Sequence, residues 1–231
     1  MKPAEKVGLN NIWLTPEWVL DLVRAYFGGP IPLDPCTEPS NPARATAFFT
    51  EETDGLAQSW AGYGGWFVNP PYSLTPEMQA AGITVPPIRL WAAKIHAAAT
   101  ASPEAGIALL PCGARFSTGY WQDHILTPKL RATCFVRGRI SFRHGITGKT
   151  GNSNNHDSMF YGFNVDPERF CALWEDHGAC YEMRSWRCDL ACPGCGKTTE
   201  RDTVKRLRES GKKFTCMGCM VRCRVEELVR V

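Results

Sequence analysis

No stretch of this chain approaches the roughly 18 consecutive apolar residues that a membrane-spanning helix requires. The opening MKPAEKVGLNN is polar and holds no apolar core of an export signal. A membrane protein and an exported one are therefore not expected. Charge of one sign is also scarce: 26 Lys+Arg against 23 Asp+Glu leave a net of +3 over 231 residues. Disorder is excluded from the other side, since 44% of the residues are hydrophobic and eight are tryptophan, a core-forming composition. The length suits one sizeable α/β domain with a small appendage. What the chain does have in excess is cysteine. Eleven is an odd number, and without export these read as thiols or metal ligands rather than a disulfide framework.

The small net charge hides an asymmetry. From Arg187 to the end there are 11 Lys+Arg and 6 Asp+Glu, a net of +5, so residues 1–186 carry 15 against 17, a net of −2. A basic tail on a near-neutral body suggests contact with nucleic acid.

Along the body, WLTPEWVLDLVRAYFGG reads as a helix with Thr15 as N-cap and Pro16 at the first helical position. Leu14 and Val19 stand at the staple positions, and Gly28-Gly29-Pro30 ends the helix. Strands are expected at IPLD, ATAFFT, WFVN and the fully apolar GIALLP, and a helix at IRLWAAKIHAAATA. Residues 73–87 read as a long Pro/Gly loop. TGYWQDHIL is helical, ATCFVRGRISFR a strand or bent hairpin, and residues 144–157 a Gly/Asn/Ser loop. SMFYGFNV is a strand, Asp166-Pro167 caps another helix, and ACYEMR is a last strand. Strands alternating with helices predict a mostly parallel, doubly wound sheet, in which ligands bind at the carboxyl ends of strands. Asp34, Asn69 and Pro111 fall at such ends.

The segment GGWFVNPPYSL holds the chemistry. Proline donates no hydrogen bond and drives its predecessor into an extended conformation, so Asn69 ends a strand with its side chain presented forwards. The Asn69 carboxamide and the Pro70 carbonyl offer two acceptors for an exocyclic amine such as adenine N6, and Tyr72 supplies a ring to stack on a flat base. Gripping both amine hydrogens keeps the nitrogen lone pair available to an electrophile, so catalysis needs alignment and electrostatics rather than a covalent intermediate.

Asn-Pro-Pro-Tyr at a strand end is the signature of amino-methyltransferases that use S-adenosylmethionine. In order, WLTPEW, LDPCTEPSNP, TDGLAQSW, FVNPPYS, ALLPCGARFSTGYW and RGRISF make the chain similar to the phage-type DNA N6-adenine methyltransferases (phage Dam-like) over about residues 10 to 183. The resemblance implies a Rossmann-like α/β sheet. It puts Thr15 and Pro16 against the methionine part of the cofactor and Asp34 at the cofactor's amino-acid end. Asp54 would accept from the cofactor's adenine amine, and Asn69, Pro70 and Tyr72 form the catalytic set. Asp-Pro-Cys-Thr-Glu-Pro follows the first strand without the Gly-x-Gly common in methyltransferases, which leaves the ribose-binding acid open between Glu51 and Glu52. Cys112, in LPCGARFS, invites comparison with a cytosine C5-methyltransferase nucleophile, but NPPY already holds the strand-end loop such a nucleophile would need. Cys112 therefore reads as a small buried residue. The resemblance further implies action on double-stranded DNA in the cytoplasm of a bacterial host, in a bacteriophage or restriction–modification setting.

The tail contains Cys192, Cys195, Cys216 and Cys219, two C-x-x-C knuckles 20 residues apart. Two such turns facing each other make a tetrahedral site for one structural zinc, and a unit of roughly 45 residues needs such a staple to fold. The expected organisation is a methyltransferase domain over 1–186 and a four-cysteine zinc ribbon over 187–231. Between the knuckles, Lys205, Arg206, Arg208, Lys212 and Lys213 lie on a predicted helix that suits phosphate contacts or a solvated face. Arg115, Arg137, Arg139 and Arg143, with the loop 144–157, are the expected DNA-recognition elements. Two rival readings share these residues: an RNA-base or protein-glutamine methyltransferase using the same chemistry, and a zinc-containing DNA-binding protein without catalysis.

Overall fold

The computed structural model describes residues 13–113, 116–144 and 157–183, and beyond them only the strand residues 190–191, 198–199, 214–215, 222–223 and 229–230. The chain forms two compact units, 1–183 and 184–231.

The first unit runs β1 (Trp13–Leu14), α1 (Glu17–Phe27), β2 (Leu33–Asp34), β3 (Ala47–Phe48), β4 (Trp66–Val68), α2 (Pro76–Ala80), α3 (Pro87–Ala101), β5 (Gly106–Pro111), α4 (Gly119–His124), β6 (Leu130–Val136), β7 (Arg143–His144), β8 (Ser158–Phe163), α5 (Pro167–Trp174) and β9 (Gly178–Glu182). A five-stranded sheet in the order β4-β5-β8-β6-β9 is its centre. The parallel pair β2–β3 lies alongside β4.

Side-chain alternation splits the core between two faces. Phe67, Ile107, Leu109 and Phe160 point to one face and pack under α1 and α5 with Val19, Leu20, Val23, Phe170 and Trp174. Trp66, Val68, Ala108, Leu110, Met159 and Tyr161 point to the other and pack under α3 and α4 with Ile88, Trp91, Ile95, Trp121 and Ile125. A strand buried on both faces must be apolar throughout. This is why GIALLP and SMFYGF carry no alternation and are buried at every position. Trp66, Trp121 and Trp174 are each almost fully buried, and truncating such an indole costs about 3–5 kcal/mol. A Cβ on Gly106 would lie 2.0 Å from the Trp66 ring, so only glycine lets that indole cross the neighbouring strand.

The C-terminus of α1 and the N-terminus of α5 follow their punctuation. Gly28 closes α1 in the left-handed conformation at φ 72°. Asp166 caps α5, its carboxylate accepting from the backbone N–H of Glu168 at 3.0 Å and of Arg169 at 3.2 Å, a cap worth about 1 kcal/mol. The loop expected over 73–87 contains α2, whose first turn is capped by Thr75: the Thr75 hydroxyl accepts from Met78 N–H at 3.2 Å.

The sheet is mixed rather than mostly parallel. β4 and β5 are parallel, but β8 inserts between β5 and β6 and runs against both, and β9 runs against β6. A parallel neighbour needs a crossover long enough to return the chain to its starting edge. α3 supplies one between β4 and β5, whereas β6 reaches β8 through a segment with no helix among its described residues. β7 does not fold back on β6 as a bent hairpin would. It pairs antiparallel with β1, Leu14 opposite Arg143.

In the second unit, β10 (Leu190–Ala191) pairs antiparallel with β11 (Thr198–Thr199) and with β14 (Val229–Arg230), and β12 (Phe214–Thr215) pairs antiparallel with β13 (Arg222–Cys223). Ala191 opposite Thr198 and Thr215 opposite Arg222 make 192–197 and 216–221 the connections of two hairpins. Cys192, Cys195, Cys216 and Cys219 fall in those connections and lie outside the described residues, as does the basic segment between them.

Candidate active site

The carboxyl ends of β2 and β4 open on a cleft lined by Leu14, Thr15, Asp34, Cys36, Glu38 and Asn69, among others.

Asp34 is a buried acid in its wall. It is only 5% exposed, and burial lifts its carboxyl from the ordinary 3.8 to about 7, against the partial relief of hydrogen bonds from Cys36 N–H and the Thr37 hydroxyl. The Cys36 N–H reaches Asp34 Oδ1 at 3.1 Å. A carboxylate so poorly compensated favours a cationic ligand. The neighbourhood is acidic beyond Asp34. Burial pushes the Cys36 thiol up, and the charges of Asp34, Glu38 and Glu51 push it further.

Asn69 leaves β4 into Pro70-Pro71, and its carboxamide is held at both ends. Its Nδ2 donates to Thr15 Oγ1 at 3.1 Å, and its Oδ1 accepts from the Tyr72 hydroxyl at 3.0 Å. The same hydroxyl lies 3.0 Å from the Leu109 carbonyl on β5, so one phenolic proton faces two acceptors. Asn69 Oδ1 retains a second lone pair. Among the described residues no donor reaches the Pro70 carbonyl. Two acceptors and a ring therefore stand together at the end of β4, beside the cleft that holds Asp34.

Thr15 corrects an expectation. The N-cap of α1 is Pro16, whose carbonyl accepts from Val19 and Leu20 N–H, and no side chain caps the helix. The Thr15 hydroxyl is used on Asn69 instead. With the cap moved one residue on, the staple positions become Thr15 and Leu20 rather than Leu14 and Val19. Pro16 adjoins the cleft through Thr15 but does not line it.

Asp54 stands apart. It is exposed, takes a left-handed conformation at φ 49°, and accepts from Leu56 N–H at 3.0 Å, which is the local bonding of a turn. It does not line the cleft. Glu38 does, from the polar, proline-rich segment that follows β2. Its position in the loop directly after Asp34, where β-strand ends bind ligands, was the available signal.

Arg137 lies at the far edge of the sheet, its N–H bonding the His177 carbonyl just before β9. Arg137, Arg139 and Arg143 are exposed. Arg143 is brought next to Leu14 and hence to Thr15 by the β1–β7 pairing. Arg139 meets Asp157 at 3.6 Å, and the Asp157 carbonyl accepts from Cys112 N–H at the end of β5. Arg143 and Asp157, which flank residues 145–156 in sequence, thus lie next to β1 and to the end of β5. Residues 145–156 themselves, and Arg115, lie outside the described residues. Cys112 is half-buried, and burial together with Asp157 raises its thiol above the ordinary value. This is opposite to what an attacking thiolate needs.

No curated protein matches the chain. A family model described as DNA N-6-adenine-methyltransferase (Dam) matches residues 4–168, a span that takes in the cleft, the Asn-Pro-Pro-Tyr segment and the whole sheet except β9. On that match, over more than two thirds of the chain, the protein belongs to the DNA N-6-adenine-methyltransferase family.

Proposed function

We propose that this protein transfers a methyl group from S-adenosylmethionine to the N6 amine of an adenine flipped out of double-stranded DNA at a specific sequence. The observation that carries the reading is Asn69: a carboxamide oxygen with a second lone pair, next to the Tyr72 ring and to the Pro70 carbonyl, which no donor among the described residues reaches, opening on the same cleft as Asp34.

The cleft residues fit the methyl donor. Asp34, destabilised by burial, gains from the donor's ammonium, and the acidic setting made by Asp34, Glu38 and Glu51 suits a ligand that carries two positive centres. Leu14 and Thr15 line the wall nearest Asn69. When bound, S-adenosylmethionine supplies an electrophilic sulfonium methyl, so the protein needs neither a nucleophile nor a covalent intermediate.

The chain's own contribution is to hold the amine. Asn69 Oδ1 and the Pro70 carbonyl accept its two hydrogens, which keeps the nitrogen lone pair out of the purine ring system and directed outwards. Tyr72 stacks on the extruded base. Extrusion costs about a few kcal/mol of unstacking, offset by phosphate and base contacts from Arg115, Arg137, Arg139, Arg143 and the 144–157 loop. Exchanging Asn69 for alanine tests this. Methyl transfer should fall to near background while affinity for the cofactor stays within a few-fold. A variant that kept most of its rate would remove Asn69 from the reaction.

The appendage over 187–231 is proposed as a zinc ribbon in which Cys192, Cys195, Cys216 and Cys219 hold one structural zinc ion. In support, each C-x-x-C falls in sequence between the two strands of an antiparallel pair, and paired C-x-x-C motifs are a common ligand set of structural zinc. Its net +5 favours a role in gripping DNA. A phage or restriction–modification setting in a bacterial cytoplasm accords with the family.

A further inference from the structure

The tripeptide Thr-Pro-Glu occurs twice, at 15–17 and 75–77, each time at the start of a helix. At the second occurrence the threonine does what its position predicts: the Thr75 hydroxyl caps α2 through Met78 N–H. At the first it does not. α1 has no side-chain cap, and the Thr15 hydroxyl instead accepts from Asn69 Nδ2 at 3.1 Å, 54 residues away in sequence. The same local signal has been diverted from the helix to the carboxamide at the end of β4.

We propose that Thr15 is a positioning residue for methyl transfer, fixing the Asn69 carboxamide with its oxygen turned toward the target amine. This rests on the reading that Asn69 grips that amine. A carboxamide is an acceptor at one end and a donor at the other, and rotation by 180° about its last torsion exchanges them. The reaction needs the acceptor outward. With Nδ2 engaged by Thr15, Oδ1 is left on the Tyr72 side. Tyr72 cannot enforce this alone, because its single proton has a second acceptor in the Leu109 carbonyl at the same 3.0 Å. Once that proton turns to Leu109, the phenol oxygen becomes an acceptor, and a carboxamide released from Thr15 gains by turning Nδ2 toward it. The amide would then present hydrogens to the hydrogens of the target amine. Thr15 also lines the cleft with Asp34, so one hydroxyl joins the cofactor side of the site to the acceptor.

Thr15→Val keeps the shape and removes the acceptor, and Thr15→Ser restores it. In single-turnover transfer of labelled methyl to duplex DNA at saturating cofactor, Thr15→Val should be slower by about 10- to 100-fold, the range for a misaligned reacting group. Its cofactor dissociation constant should stay within about tenfold, since one neutral hydrogen bond is the most that is lost there. Thr15→Ser should recover most of the rate. In an Asn69→Ala background, Thr15→Val should add nothing further, the signature of two residues acting through one contact. A readout independent of activity is the side-chain NH2 resonance of Asn69 in 15N-labelled protein, identified by its loss in Asn69→Ala. It should move in Thr15→Val and return in Thr15→Ser. A full rate in Thr15→Val, a loss confined to cofactor affinity, an unmoved resonance, or serine as damaging as valine would each overturn the proposal. If Asn69→Ala itself kept its rate, the proposed catalytic role of Asn69 would fail instead.

Discussion

Replacing Asp34 by asparagine should make the protein more stable at neutral pH while weakening its hold on the methyl donor. The carboxyl's ordinary value is 3.8, and burial raises it to about 7 in the folded protein. A group whose folded value lies above its unfolded one binds its proton more tightly when folded. Its contribution to stability is therefore complete below pH 3.8 and is lost as the pH rises through about 7. The full loss corresponds to about 4 kcal/mol, and Asp34 is too deeply buried for solvent screening to reduce it much. Asparagine reproduces the shape of the neutral acid without the titration. The stability gap between Asp34→Asn and wild type should be about 2 kcal/mol at pH 5 and about 4 kcal/mol at pH 8, and flat above that. Any constant effect of the amide adds equally at both pH values, so the widening of about 2 kcal/mol is the quantity to test. Urea denaturation at a series of pH values, followed by the fluorescence of the buried tryptophans, measures it. In parallel, calorimetric binding of S-adenosylmethionine at pH 8 should weaken by at least about tenfold, the cost of losing a charge-assisted contact. A stability gap that stays constant from pH 5 to pH 8 would refute the claim that Asp34 is held in a strained, buried state.

Tyr72→Phe should lose about fivefold in transfer rate, since it keeps the stacking ring but drops a neutral hydrogen bond to Asn69 Oδ1; Tyr72→Ala should be far worse, and equal rates for the two would deny any stacking. Purified protein should carry one zinc per chain by elemental analysis, and Cys216→Ser should lose it; a metal-free wild type that folds normally would exclude the ribbon. Truncation after Trp186 should leave S-adenosylmethionine binding intact but weaken DNA binding, with a salt slope lower by about 0.9 for each phosphate contact removed. An unchanged slope would make the tail a docking module for another protein.

Much of the fold could be read from local signals. The end of α1 and the start of α5 carry their own punctuation, and β5 and β8 are unbroken apolar runs that only a doubly covered sheet can bury. Asn69 was legible because two prolines constrain what precedes them. What sequence periodicity could not supply was the choice of strand neighbour. β8 entering between β5 and β6 depends on long-range packing of Phe160 and Tyr161 against opposite layers, and nothing in the local pattern encodes it. α2 was obscured by the surrounding glycines and prolines although Thr75-Pro76 announced it. Thr15 shows the reverse: a correct local motif whose hydroxyl was claimed by a residue 54 positions away. Asp54 was half legible, because an acid after Thr53 in a turn is as good a turn former as a ligand, and its bonding is that of the turn.

The most direct measurement is the identity of the product. The full chain, incubated with methyl-labelled S-adenosylmethionine and unmethylated duplex DNA and then digested to nucleosides, should yield label in N6-methyldeoxyadenosine alone, and the Asn69→Ala protein should yield none. Label on cytosine, or on RNA or protein in preference to DNA, would contradict the account.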